Sequence, residues 1–355
     1  MKLKLAAALQ WFETHKKVWI IVIGVSVLFL VSWLIYLALR SDDAVVRTDP
    51  TSMDGASGEL DFENSPLTGL AVSPEAAKRP VLGMMISNST EARPQSGLHK
   101  AGVVFEAIAE GGITRYLALF QDELPELLGP VRSVRPYYVD WVTAFDSYFG
   151  HVGGSVQGRK DAAKLGNKDV DQFVNSQYYY RSTDRVAPHN VYTTDKLLNK
   201  MFKNRGDDPS EFTGFERKGE EPLEEPTARQ IKINVSSDSY NVGYTYNKQT
   251  NSYRRQLGGS AHRDRETKEQ ISPKNVIAIK VPLRGIANNR LEMDTIGSGT
   301  AWIFRDGGVV KGKWTKEADD EQIFFTDSDG NTVALNAGST WITVIPPSQS
   351  VTYKP

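Results

Sequence analysis

Hydrophobic positions fall into three regimes along the chain. From Val18 to Leu39, 22 successive residues (VWIIVIGVSVLFLVSWLIYLAL) carry no charge and leave no polar face. At about 1.5 Å per residue such a helix reaches roughly 33 Å, enough to cross a bilayer core of about 30 Å. Trp19, Trp33 and Tyr36 stand near its ends, where amphipathic rings favour the headgroup level. The run is longer than the apolar region of a cleavable signal peptide, and no small-residue cleavage site follows cleanly, so it reads as an uncleaved transmembrane anchor. Residues 40–65 are poor in apolar positions and rich in Gly, Ser and Asp, which predicts a solvated, self-repelling spacer.

From residue 66 the pattern is that of folded protein, and it changes once. Between 66 and 206, short apolar runs of strand composition (Val81–Ser87, Val103–Ala109, Tyr116–Gln121, Tyr148–Val152) alternate with helical stretches. Ser133 is placed to cap a helix running through Tyr137, Trp141 and Phe145. Thr194 is placed to cap another, with Leu197, Leu198, Met201 and Phe202 on one stripe and Gly206 just past its end. This half reads as mixed α/β. Residues 207–227 are acidic and Pro-rich, as in a connecting segment. Residues 228–355 read as strands only, beginning with the alternation of Ile231, Ile233 and Val235, with turns at Asp306-Gly307 and Ser328–Asn331. The expected class is α+β: an N-terminal transmembrane helix, a mixed α/β domain and a mostly antiparallel β domain.

Net charge is −1 and looks uninformative until it is partitioned. Residues 1–40 hold five basic residues against one acid, a net of +4; residues 41–65 hold seven acids against one Arg, a net of −6; the folded part carries +1. With Lys16 and Lys17 before the apolar run and Asp42 and Asp43 after it, the positive-inside bias predicts a single-pass cell-membrane protein with residues 1–17 in the cytoplasm and the folded domains outside. The basic excess of a nucleic-acid binder is missing, so no nucleic-acid partner is expected. The cysteine count is zero, which excludes disulfides, thiolate metal sites, a cysteine nucleophile and a lipid-modified cysteine.

Two sequence matches dissolve on inspection. Gly307-x4-Gly312-Lys313 approximates a phosphate loop, but Trp314 stands where a hydroxyl should be and the context is a hairpin. Asp327–Asn331 resembles the start of a calcium loop, but its glycine is displaced and position 12 is Gly338. Asn88-Ser89-Thr90 is a formal glycosylation sequon without further support. His262 and Asp264 share a strand face but lack a third metal ligand, so neither a metal nor a cofactor is expected.

Other groups carry more chemistry. Glu106 and Glu110 lie on one apolar strand and, if it continues unbroken, on one face; a desolvated carboxylate pair could perform general acid/base work, or each could pair with an arginine. Arg132 and Arg135 follow the Gly129-Pro130 turn at a helix start, a setting that suits a phosphate or carboxylate, with Arg115 nearby in sequence. His151, at a strand end, and Arg185 and His189, in a loop, complete the candidate ligand-binding set.

The blocks Pro66–Leu70 (PLTGL), Ala92–Leu98, Phe105–Arg115 (FEAIAEGGITR), Gly129–Tyr138 (GPVRSVRPYY), His151–Ser155 (HVGGS), Arg185–Tyr192, Tyr253–Asp264, Lys274–Ile279 and Gly312–Pro346, in this order, resemble the YerB-like lipoprotein family. That resemblance implies two domains, both of unknown function, facing the cell envelope, and implies no reaction. Family members described as lipoproteins hang from a lipidated Cys; this chain has none, so the Val18–Leu39 helix is expected to replace it. Together these readings predict a bacterial envelope protein that binds or scaffolds an anionic cell-wall polymer or another envelope protein. The alternative is a glycan or phosphodiester hydrolase using Glu106 and Glu110 with Arg132 and Arg135.

Overall fold

The structure, a computed structural model, describes residues 61–286 and 290–355. The expected cytoplasmic tail, the Val18–Leu39 anchor and the spacer up to residue 60 lie outside these residues. Among the described residues no helix is long and apolar enough to cross a membrane.

The described chain is β-rich with few helices. The principal strands before residue 207 are β1 (Leu82–Ser87), β2 (Val103–Glu110), β3 (Ile113–Phe120), β4 (Tyr148–His151) and β5 (Asp169–Asp171). After it come β6 (Gln230–Ile233), β7 (Val242–Asn247), β8 (Ser252–Leu257), β9 (Ser260–Ala261), β10 (Asn275–Lys280), β11 (Leu283–Ile286), β12 (Arg290–Met293), β13 (Gly297–Arg305), β14 (Gly308–Lys316), β15 (Phe324–Thr326), β16 (Thr340–Ile345) and β17 (Val351–Lys354). One twelve-stranded sheet runs β15-β14-β13-β10-β16-β2-β3-β1-β4-β5, with β11 and β12 attached beside β2. A five-stranded sheet, β9-β8-β7-β6-β17, joins the same apolar core.

The strand β16, from near the C-terminus, lies parallel to both β10 and β2, pairing Thr340 with Val103 and Thr343 with Glu106. The two segments read separately from sequence, 66–206 and 228–355, therefore share one continuous sheet. The runs at β1, β2 and β3 are continuously apolar because both faces are covered: Phe105, Ala107, Leu117 and Leu119 enter one core cluster, while Val104, Tyr116, Ala118 and Phe120 enter another. By contrast β7 buries Val242, Tyr244 and Tyr246 and leaves the intervening residues half-exposed, the alternation of a one-sided sheet.

The helices are α1 (Pro74–Ala77), α2 (Pro136–Thr143), α3 (Val156–Ala162) and α4 (Asp195–Arg205). Thr194 caps α4 by accepting from the Leu197 N–H, and Gly206 ends it at φ 116°. The expected Ser133 cap is corrected. Arg135 is the N-cap of α2 and Pro136 occupies its first turn, where a fixed φ and a missing N–H cost nothing. Helix α3 escaped the sequence reading because it has no apolar stripe; the Ser155 hydroxyl starts it by accepting from the Gly158 N–H. Structure also begins before residue 66, with Glu63–Asn64 pairing with Ala71–Val72.

The false phosphate loop is a hairpin. Asp306 and Gly307 take φ 55° and 77°, the left-handed turn that joins β13 to β14. At Gly312 an added Cβ would lie 1.8 Å from the Thr326 carbonyl oxygen, so glycine stands there to admit β15. The Asp327 carboxylate accepts from the Asp329 and Asn331 N–H groups and so organises its own turn.

Candidate functional site

At the end of β2 a bulge between Ile108 and Glu110 shifts the register against β3. Glu106 stands opposite Tyr116, whereas Glu110 turns to Arg115, which stands opposite Ala107 on the other face. The expected shared face for Glu106 and Glu110 is therefore corrected: one inserted residue separates them, and the two carboxylates pair with different arginines.

Glu110 holds two of them. Arg115 donates to one carboxylate oxygen at 2.7 Å and Arg135 to the other at 2.5 Å. The second Nη of Arg115 donates to the Ser133 carbonyl at 2.7 Å, fixing the chain that leads into α2. Burial pushes the Glu110 carboxyl upward, but the two guanidinium groups outweigh it and hold the carboxyl below its usual range.

Arg132 lies in the same field. Its Nε is buried without a hydrogen-bond partner, and its guanidinium makes no ion pair among the described residues. Burial lowers its pKa, and the neighbouring Arg115 and Arg135 cations lower it further against the pull of Glu110. Two of the three guanidinium groups thus share one carboxylate and Arg132 pairs with none among the described residues, so these four groups carry an excess of two positive charges.

His189 faces this excess. Its ring nitrogens lie 3.2–3.3 Å from the Ser87 and Ser89 hydroxyls. Burial, then the Arg132 charge, lowers its pKa below the ordinary imidazole value, which favours the neutral ring. Arg185 fastens the His189 loop by donating to the Glu91 and Pro94 carbonyls, both at 2.6 Å. It is a positioning residue whose two terminal nitrogens are engaged, while its buried Nε has no hydrogen-bond partner among the described residues. His151 does not join the cluster: it is buried, with Nε2 2.9 Å from Asp169 and Nδ1 2.9 Å from the Gly153 carbonyl. Of the sequence candidates, then, Glu110, Arg115, Arg132, Arg135 and His189 converge, with Arg185 behind them.

Comparison with known proteins gives the lineage. A family model described as "Protein of unknown function (DUF3048) N-terminal domain" matches residues 67–208, and the model of the corresponding C-terminal domain matches residues 231–342. The "Putative lipoprotein YerB" of Bacillus subtilis (strain 168) is 31% identical over 291 residues, covering 79% of this chain and 86% of the relative. This chain belongs to the YerB-like DUF3048 family. The crystal structure of the YerB protein from Bacillus subtilis superposes with a TM-score of 0.71 at 30% identity, covering 82% of this chain and 99% of the YerB chain.

Within this family fold, sequence reasoning missed the partner of Glu106. Arg255, on β8, is fully buried and donates to the equally buried Glu106 carboxylate. Its guanidinium lies 4.4 Å from the Trp341 ring centroid and 5.7–5.8 Å from those of Tyr244 and Tyr116. Thr114 donates to the other Glu106 oxygen at 2.9 Å, and Asn88 reaches it at 3.3 Å. Burial opposes the Arg255 charge, but Glu106 raises its pKa above the ordinary arginine value. The Asn88 amide is fully buried in this network, which takes it out of reach as a glycosylation site. His262, also buried, bonds Gln95 at 3.0 Å, while Asp264 accepts from the Gly97 N–H and lies 2.9 Å from the His99 Nδ1, so the two side chains face different partners. The signal available in sequence was the unusual Arg254-Arg255 pair inside an alternating strand, where Arg255 falls on the inward phase with Tyr253 and Leu257.

Proposed function

We propose that this chain is a membrane-tethered, extracytoplasmic envelope protein that binds an anionic group, phosphate or carboxylate, of an envelope polymer or partner through Arg115, Arg132 and Arg135. The observation that carries this reading is Arg132, which makes no ion pair among the described residues, beside two arginines that already share a single carboxylate. An arriving anion supplies the missing countercharge, and Arg132 offers it a planar fork of donors. Neutral His189 and the Ser87 and Ser89 hydroxyls add neutral donors beside it. The extracytoplasmic setting is supported by the apolar run at 18–39 with its flanking charges, and by the printed description of the Bacillus relative as a lipoprotein. The hydrolase alternative is weaker: Glu106 is fully buried against Arg255, out of reach of a substrate, and Glu110 is held ionised by two cations and so is not poised to donate a proton near neutral pH.

Isothermal titration of the full-length chain with a phosphodiester-containing wall polymer tests the proposal. Arg132→Ala should weaken binding by about 1.5–3 kcal/mol, the worth of a hydrogen bond to a charged group, roughly ten- to a hundredfold. Equal affinity in the parent and Arg132→Ala would remove the cluster from the binding site.

A further inference from the structure

A second surface has the opposite chemistry. A groove of about 1050 Å³ opens between the segment at residues 211–216, the end of α2 and the loop that leads into β15. Its floor is aromatic: Phe212 packs 5.6 Å from Phe145, Phe215 lies 6.1 Å from Phe325, and Phe324 is 38% exposed. Its rim carries Asp146, Glu211, Glu216, Glu317, Asp320 and Glu321, and no lysine or arginine lines it. Asp146 pairs with Lys168; the other five carboxylates make no ion pair among the described residues.

The acidic wall is built rather than loose. The buried Lys316 ammonium sits beneath the 317–321 loop and donates to the carbonyls of Ala318 at 2.8 Å, Asp319 at 3.0 Å and Glu321. Its donors are thus spent on backbone, while the carboxylates of that loop point to solvent. Burying a lysine is costly, and burial lowers its pKa here. The effect of that arrangement is to hold Glu317, Asp320 and Glu321 together against their mutual repulsion.

We propose that this groove binds a basic peptide segment of another protein, one that presents lysine or arginine to the rim and an apolar side chain to the phenylalanine floor. Charge complementarity selects this occupant. Five carboxylates without an ion-pair partner among the described residues, and with no lysine or arginine in the lining, repel phosphate polymers and anionic lipid, whereas an ammonium or guanidinium gains both the carboxylates and the aromatic faces. The volume is at the upper end for small-molecule sites, which suits several residues of extended chain. The site is independent of the arginine cluster, so either can fail alone.

Fluorescence anisotropy of a dye-labelled octapeptide of alternating lysine and phenylalanine, titrated with the full-length chain, tests it. Saturable binding that weakens as salt rises is expected. Asp320→Lys combined with Glu321→Lys should weaken it about tenfold or more, and Phe324→Ser, at an exposed position, should weaken it about fivefold. Arg132→Ala should leave it unchanged. An alternating glutamate–phenylalanine peptide that binds equally well, or variants that keep the parent's affinity while melting at its temperature, would overturn the proposal. Concentration-dependent dimerisation abolished by Phe324→Ser would also overturn it, assigning the groove to a second copy of the chain.

Discussion

Replacing Glu106 by Gln separates a structural carboxylate from a catalytic one. Glu106 and Arg255 are both 0% exposed, so the substitution leaves a guanidinium in the interior with no countercharge. Removing one member of a buried pair typically costs about 3–5 kcal/mol. The Trp341, Tyr116 and Tyr244 faces around Arg255 keep part of its stabilisation, of the order of 2 kcal/mol for a desolvated cation on aromatic rings, which sets the expectation at the lower end of that range. At roughly 2–4 °C per kcal/mol, about 3 kcal/mol lowers the melting temperature by roughly 6–12 °C. Circular dichroism melts of the parent, Glu106→Gln, Arg255→Met and the double variant Glu106→Leu/Arg255→Met form the assay. The double variant should recover most of the loss, because an apolar pair of similar volume no longer buries a lone charge. A Glu106→Gln protein melting within about 2 °C of the parent would refute this reasoning and restore Glu106 as a functional group.

Other substitutions probe other links. Stability should fall as pH drops through the depressed Glu110 pKa: the folded carboxylate is held ionised by Arg115 and Arg135, the unfolded one protonates first near 4.5, and Glu110→Gln should flatten that acid limb in melts at several pH values. Nuclear magnetic resonance should find His189 titrating below 6.5, moving upward when inorganic phosphate offsets the Arg132 charge; an unmoved midpoint would count against an anion at the cluster. Ser155→Ala should cost about 1 kcal/mol by uncapping α3, read as a shifted denaturant midpoint. Gly312→Ala should cost roughly 1–3 kcal/mol or more, since its Cβ has nowhere to go against the Thr326 backbone.

Legibility from sequence followed the range of the interaction. The Thr194 cap, the Asp306-Gly307 turn and the strands with clear periodicity are local, and the residues that form them are adjacent. Helix α3 was illegible because only Gly158 and Ala162 are buried, leaving no apolar stripe to read. The separation of Glu106 from Glu110 was illegible because a single bulge residue inverts the face of everything beyond it. The Arg115, Arg132 and Arg135 cluster was half legible: nearness in sequence suggested it, but the Glu110 clamp and the free Arg132 depend on how β2, β3 and the 129–135 turn meet. Arg255 was the largest omission, since its partner lies 149 residues away.

The placement of β16 has a consequence for the order in which the molecule can be made. Synthesis delivers β2 long before residues 340–345, and β2 pairs with β16 all along Val103–Glu106. Until the last stretch of chain emerges, one edge of an apolar strand stands open, offering backbone donors and acceptors to any neighbouring chain. Residues 61–206 are then a waiting intermediate rather than a finished unit. A stop codon placed after the 207–227 connection should yield an aggregating fragment, although the family boundaries make that cut look natural. Completion of this sheet therefore reports that residues 340–345 have been delivered.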